Sequence, residues 1–247
     1  MSRLRVVSLV PSWTETLIEA GANVVGRTRF CVHPAAAVAS IPSVGGTKDL
    51  RLEKLRELKP DLVVLDREEN TAAMALAVDG LAKIFVSHVE HVQQMPAELS
   101  RLATEFSAGD AAGIGVELVR AELLSYAGRF ERILREPSAL HNDSSRFAYC
   151  IWKNPWMAVG KDTFIASMLE RSGYDLASLW PAGRGKYPEF TLEELPREVR
   201  VLLSSEPYPF AKKFPVEITN ETLLVDGESF SWFGIRALRY LEGLLKA

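Results

Sequence analysis

Cys31 and His33 stand two residues apart in the sequence, between Phe30 and Pro34. A thiolate and a neutral imidazole both suit zinc, cobalt or copper, so the pair could supply two donors to a metal. Glu68, Glu69 or Glu206 could add oxygen donors to make a mixed coordination sphere. The alternative is a small buried cysteine beside a surface histidine. A second group is Asp66-Arg-Glu-Glu-Asn70, whose three carboxylates could face a cationic ligand or form a solvated turn. The third is aromatic: Trp13, Trp152, Trp156, Tyr208, Phe210, Phe230, Trp232 and Phe233 all fall at the ends of apolar runs. Rings in such places offer a stacking surface for a flat ligand, and Tyr187 could join them. His88, His91 and His141 have no evident catalytic partner, and the enzyme signatures G-x-S-x-G, P-loop, HExxH and GxGxxG are not found.

These residues need elements to hold them. Val6 to Val10 is a nearly continuous apolar run, which suits a strand buried on both faces of a parallel sheet. Pro11 ends it, and Ser12-x-x-Glu15 reads as a capping box opening a helix that Gly21 closes. Trp13 is then either a stacking surface or a ring packed under that helix. Val24–Thr28, Asp61–Leu65 and Lys83–Ser87 read as further strands, with helices at 52–58 and 71–78 between them. That alternation predicts βαβ units with right-handed crossovers. Gly45-Gly-Thr-Lys-Asp49 reads as a turn, with a backbone anion site as the weaker alternative.

Pro96 to Arg135 reads as wholly helical, with Asp110 capping a long helix whose apolar positions include Ile114, Leu118, Leu123, Leu124, Phe130 and Leu134. A helix of about 25 residues spans roughly 37 Å, which predicts a connector between two lobes. The expected division is 1–95, a helical connector 96–136, and 137–247. In the last part Pro137–Ser145 is a turn region, Phe147–Trp152 a strand and Lys153-Asn-Pro-Trp156 its loop. Asp162 caps a helix that Gly173 ends. Residues 51–66 and 191–206 align without a gap, Asp66 falling on Glu206, so both halves should contain helix, strand and a terminal acid. Leu223–Val225 reads as a last strand, Phe230–Phe233 as an aromatic loop and Ile235–Leu245 as a closing helix.

The composition is ordinary, with 47% hydrophobic and 25% charged residues. A formal net charge of -3 and the lack of a basic tract argue against nucleic acid or an anionic membrane as partner. No run approaches the ~20 apolar residues of a membrane helix. The two cysteines, Cys31 and Cys150, are too far apart in sequence to suggest a disulfide. MSRLR leaves no room for a signal segment, so the chain as written reads as cytoplasmic; removal of a leader would leave the same sequence.

RVVSLVPSWTE, TRFCVHP, VGGTKD, KPDLVVLDREEN, WKNPWMAVGKDTF and LVDGESFSWFGIR, with the long helix between, resemble the helical-backbone periplasmic binding proteins. These capture iron–siderophore, haem and vitamin B12 ligands for ABC importers, and the B12-binding branch is the most similar. The resemblance covers most of the chain. It implies an α/β fold of two Rossmann-like lobes with central parallel sheets joined by one long helix. It implies a non-enzymatic protein holding a cobalamin-like corrinoid or other metal chelate in an aromatic cleft between the lobes, with no obligatory cofactor. An ABC transporter permease is the implied partner, and transfer out of the cytoplasm the implied setting. The strand-end residues carried over are Ser12, Trp13, Cys31, His33, Glu68, Glu69, Asn70, Trp152, Trp156, Glu206, Tyr208, Phe230 and Trp232. The rival expectation is a cytoplasmic enzyme or metallochaperone acting on a metal or tetrapyrrole, suggested by the lack of a signal segment in the sequence as written and by Cys31-x-His33.

Overall fold

Val6, Val7, Leu62, Val63 and Val64 are almost wholly removed from solvent, as strands covered on both faces require. The computed structural model describes residues 4–106, 113–137, 146–177, 179 and 184–246. The expected cap Asp110 and the His141 turn region from 138 on lie outside them. The chain divides into two units. One comprises Met1–Val89, Gln93–Ile133 and Phe233–Leu238; the other comprises Glu90–Val92, Leu134–Trp232 and Arg239–Ala247.

The first unit holds strands β1 (Arg5–Ser8), β2 (Asn23–Arg27), β3 (Leu62–Asp66) and β4 (Lys83–Ser87). They are all parallel, in the order β2-β1-β3-β4. Helices α1 (Pro11–Glu19), α2 (Ala35–Val38), α3 (Leu52–Glu57), α4 (Ala72–Val78), α5 (Met95–Thr104) and α6 (Ile114–Arg135) connect and follow them. Val7, Leu9, Leu55, Val63, Leu65, Met74 and Val78 share one core cluster.

Two local expectations give way here. Ser12 does not cap α1: the helix starts at Pro11, Val10 takes the cap position, and no side chain bonds there. Proline at the first position has no N–H to satisfy, and the Glu15 carboxylate is held elsewhere. Gly21, at φ 81°, does close the helix in the left-handed region. In α6 the buried face is Val116, Val119, Leu123, Tyr126, Ala127, Phe130 and Ile133. Ile114 and Leu118 are 79% and 64% exposed, so the inward stripe is rotated from the expected one.

The second unit's sheet contains β5 (Arg146–Trp152), β6 (Trp156–Ala158), β7 (Asp175–Leu176), β8 (Glu189–Phe190), β9 (Arg200–Ser204) and β10 (Thr222–Val225). Its order is β10-β9-β5-β6-β8, with β7 on β5. Strands β5, β9, β10 and β7 run parallel, while β6 pairs antiparallel with β5 and β8. The α/β class stands, but the Lys153–Trp156 segment turns straight back into a hairpin, and Trp156 lies in a strand instead of a loop. Helix α7 (Phe164–Arg171) is capped by Thr163, whose hydroxyl accepts from the Ala166 amide at 3.1 Å, and not by Asp162. The 191–206 segment forms a short 3-10 turn with a capping box at Thr191, ended before Pro196, and then β9. Because β9 stops at Ser204, Glu206 sits in the following loop while Asp66 ends β3 itself. The aligned segments therefore differ by two residues in strand register. Phe230 lies in α8 (Gly227–Ser231) instead of a loop.

Chain entry into α9 (Ile235–Leu244) is fixed on α1. Gly234 takes φ 78° against the Thr16 hydroxyl, where a Cβ would come within 2.1 Å of it. The Ile235 amide donates to Thr16 Oγ1 at 3.1 Å, and that hydroxyl donates to the Ser12 carbonyl at 2.8 Å. Arg236 clamps Glu15 through two bonds of 2.9 Å each. Glu15 is 5% exposed, so losing its partner leaves a buried charge unpaired. Arg236→Ala should lower unfolding stability by about 3 kcal/mol, read as a lower urea midpoint at unchanged slope.

Candidate functional site

Ligands of open parallel α/β sheets gather at the carboxyl ends of the strands, and both units concentrate side-chain bonding there. In the first unit a continuous polar belt joins the ends of three strands and the Gly45–Asp49 turn. Trp13 Nε1 donates to Ser87 Oγ at 2.7 Å, and Ser87 Oγ donates to Asp66 Oδ2 at 2.7 Å. Asp66 Oδ1 accepts the Glu68 amide at 2.9 Å, and the Asp66 amide donates to Asn70 Oδ1 at 2.9 Å. Asn70 Nδ2 reaches the carbonyls of Leu9 at 3.2 Å and Thr47 at 3.0 Å. Trp13 has no exposed surface and packs edge-on against Phe85 and Phe233. Of the two alternatives for this ring, the structure takes the packed one.

Glu68 is exposed, Glu69 and His33 are half-buried, and Ser12 and Asn70 are buried. A cavity of about 270 Å³ beside the belt is lined by Asp66, Arg67, Asn70 and Thr71. The Gly45–Asp49 segment is a closed turn. The Gly46 amide donates to the Asp49 carbonyl at 2.8 Å, and Arg29 grips the Asp49 carboxylate through two 2.9 Å bonds. A Cβ on Gly46 would come within 2.3 Å of Asp49 Oδ1, so the glycine pair serves turn closure.

Cys31 is fully enclosed, its Sγ 3.0 Å from Thr14 Oγ1 and 3.1 Å from Thr28 Oγ1. Burial pushes its pKa up, and the two threonine hydroxyls only partly offset this. A metal ligand must be a thiolate, and this setting keeps the proton. Cys150 is likewise free and buried, with its pKa pushed up to about 12 by burial alone.

In the second unit a ladder of rings runs outward from the core. Trp156 stacks on Phe210 at 5.9 Å and 7°, Phe210 meets Tyr208 at 4.6 Å, and Tyr208 meets Trp152 edge-on at 5.6 Å. Trp156 and Phe210 are core residues, while Trp152 is 38% exposed. The ladder ends in a partly open aromatic edge where β5 and β9 finish. Beside it, Glu206 Oε1 accepts from Ser231 Oγ at 2.8 Å. Burial raises the Glu206 pKa against the lowering effect of that hydroxyl. Tyr149 donates to Ser204 Oγ at 3.1 Å, and burial raises its pKa strongly. Phe230 is 3% exposed among Tyr149, Tyr174 and Tyr240, and Trp232 is 9% exposed. A larger cavity, about 400 Å³, is lined by Lys161, Glu170, Tyr174 and Asp175. Asp175 pairs with Arg146, so this cavity lies at the amino end of β5, away from Trp152.

The sequence-predicted residues thus separate by role. Trp152, Tyr208, Glu206, His33, Glu68 and Glu69 keep accessible surface at strand ends. Trp13, Asn70, Trp156, Phe230 and Cys31 build the support beneath. Ser87 and Ser231 were not singled out in sequence. Ser87 had a usable signal, a lone hydroxyl closing an apolar strand, whereas Ser231 meets Glu206 across 25 residues with none.

Residues 6–113 match the family model described as periplasmic binding protein. The chain has the fold of the helical-backbone, class III periplasmic binding proteins. Among solved structures, the periplasmic vitamin B12 binding protein BtuF of Vibrio cholerae aligns at a TM-score of 0.71 and 15% identity, covering 99% of this chain and 96% of that one. The periplasmic heme-binding protein RhuT from Roseiflexus sp. RS-1 aligns at 0.76 and 14%, covering 98% and 97%. An ABC transporter substrate-binding protein from Listeria monocytogenes EGD-e aligns at 0.66 and 14%, covering 99% and 98%. No curated protein sequence matches the chain.

The buried thiols give a pH dependence. The folded pKa of Cys150 lies above its unfolded value of about 8.5, so the native state binds the extra proton in between. Stability is therefore fully present below about pH 8.5 and falls as pH rises toward about 12. Urea unfolding at pH 8 and pH 10.5 should show a smaller loss between the two for Cys150→Ala than for the wild type.

Proposed function

We propose that this protein is a solute-binding protein that holds a metal chelate of the corrinoid, haem or ferric-siderophore kind and delivers it to an ABC importer. The observation that carries the reading is the half-open Trp152–Tyr208 edge at the carboxyl ends of β5 and β9, held from behind by Phe210 and Trp156. A ring supported in this way is already ordered before a ligand arrives, so stacking costs little side-chain entropy. The named ligands of the structural neighbours, vitamin B12 and heme, are large planar chelates. His33, Glu68 and Glu69 give the first unit's strand-end face polar groups able to meet a chelate's rim or metal. The enzyme or metallochaperone alternative drew in part on Cys31 as a metal ligand, and the enclosure of that thiol speaks against that part of it.

Among the described residues no helix is long and apolar enough to cross a membrane, so import would need a separate permease. Fractionation of native cells checks that partner. Recovery with the envelope fraction is expected, and recovery with cytosol alone would remove the permease from the reading.

Purified protein titrated with cyanocobalamin, haemin and a ferric tris-catecholate should show saturable tryptophan quenching with at least one of them. Trp152→Ala should weaken that binding about tenfold, the loss expected for one supported stacking contact of roughly 1.4 kcal/mol, at unchanged melting temperature. Absence of saturable quenching with all three ligands overturns the proposal.

A further inference from the structure

We infer that α4 is the face through which two copies of this chain pair, antiparallel and about a two-fold axis, with Leu76 of each entering the groove beside α4 of the other. This goes beyond the solute-binding reading and does not depend on it. Helix α4 carries no polar side chain along its whole length, Ala72–Val78. A helix apolar all round belongs in an interior, yet only Met74 and Val78 are buried. Its outer side, formed by Ala72, Ala73, Leu76 and Ala77, is exposed. Leu76 is 74% exposed, and Leu81 in the turn that follows is 39% exposed. The cavity of about 270 Å³ runs along the same helix, its apolar wall formed by Leu65, Ala72, Ala75 and Val86. Ala72 belongs to both features, so the projecting leucine and the groove adjoin on one face. A patch that holds both a knob and a hole can meet a copy of itself, each knob filling the partner's hole. The alanines keep the helix slim, so two axes can approach closely.

Charge selects the occupant and its direction. Arg67 precedes the helix, and Asp79 takes its C-cap position. Both are exposed, and among the described residues neither side chain has a hydrogen-bond or ion-pair partner. The charged groups around them are already engaged: Glu68 and Glu69 have partners of their own, and Lys83 pairs with Glu105 at 2.7 Å. Asp79 is also the wrong sign for the carboxyl end of its own helix. Two antiparallel α4 helices bring Asp79 of one copy to the amino end of the other, beside Arg67, and the symmetry makes that pair twice. Parallel helices would set like charges together, and an apolar peptide or a lipid surface would leave both charges unanswered. At seven residues α4 is about 10 Å long, so the contact is that of a weak, concentration-dependent dimer and not a permanent one.

Sedimentation equilibrium of the whole chain, from about 5 to about 500 µM, tests this on wild type, Leu76→Glu, Arg67→Glu, Asp79→Arg and the double variant Arg67→Glu/Asp79→Arg. All the altered side chains are exposed, and matching melting temperatures show that the variants fold. Wild type is expected to pass from monomer to dimer over that range. Leu76→Glu should weaken the dimer at least tenfold and each single charge reversal at least threefold, while the double reversal should restore wild-type association to within about twofold. Co-sedimentation with vesicles of phosphatidylglycerol and phosphatidylcholine reads the lipid alternative. A wild type that stays monomeric to the top of the range, a dimer unmoved by Leu76→Glu, or Leu76-dependent binding to vesicles by a monomer overturns the inference. A dimer indifferent to both charge reversals, or one that the double reversal fails to restore, overturns the antiparallel pairing and so the inference as stated. The solute-binding reading stands or falls on its own titrations.

Discussion

The Asp66 carboxylate is 2% exposed at the end of a strand that has no polar residue before it. A charge in such a place is tolerated only when its lone pairs are filled. The first unit's strand-end edge is organised around doing so. Ser87 from the neighbouring strand fills one oxygen, the turn amide of Glu68 the other, and Trp13 closes the chain of donors from α1. Asn70 then ties the same loop to the carbonyls of Leu9 and Thr47. Four segments remote in sequence are held in register by one buried anion. The loops that project beyond the belt, with His33, Glu68 and Glu69, thereby leave a rigid base.

The second unit reaches the same end by packing in place of charge. Its strand-end loops are braced by rings, each resting on the one behind it, from Trp156 in the core to Trp152 at the surface. Its polar groups are fewer and act as pins, Ser231 on Glu206 and Tyr149 on Ser204. The antiparallel β6 and β8 extend the sheet beyond β5 and bring Phe190 against Trp156 at 6.0 Å. An aromatic edge supported in this way suits stacking, because its orientation is decided before the ligand is met.

Local rules accounted for most elements of this chain. Apolar runs identified β1, β3 and β4, because a strand buried on both faces has little choice of residue type, and the match of 191–206 to 51–66 pointed to β9. Gly21 and Gly173 ended their helices as expected, at φ 81° and 86°, where a side chain is disfavoured. Boundaries went astray where two local rules competed. Pro11 and Ser12 could both open α1, and proline prevailed because Glu15, the other half of the box, belongs to Arg236. In α6 several leucines lay on adjacent stripes, and periodicity alone does not say which stripe faces inward.

By itself, the sequence determined the α/β class, the positions of most strands, and the loops that follow their carboxyl ends. Each of these follows from short-range steric and hydrophobic preference. It did not determine which residues in those loops face outward. Trp13 and Trp152 are the same residue type at equivalent strand ends, yet one is wholly enclosed and the other 38% exposed. That difference comes from Phe85, Phe233 and Ser87 surrounding one ring, and from a single edge contact with Tyr208 beside the other. Likewise Cys31 and His33 are near neighbours in sequence, and only the enclosing hydroxyls of Thr14 and Thr28 decide that the thiol is a buried one. Burial depends on contacts between distant segments, and no short-range preference carries that information.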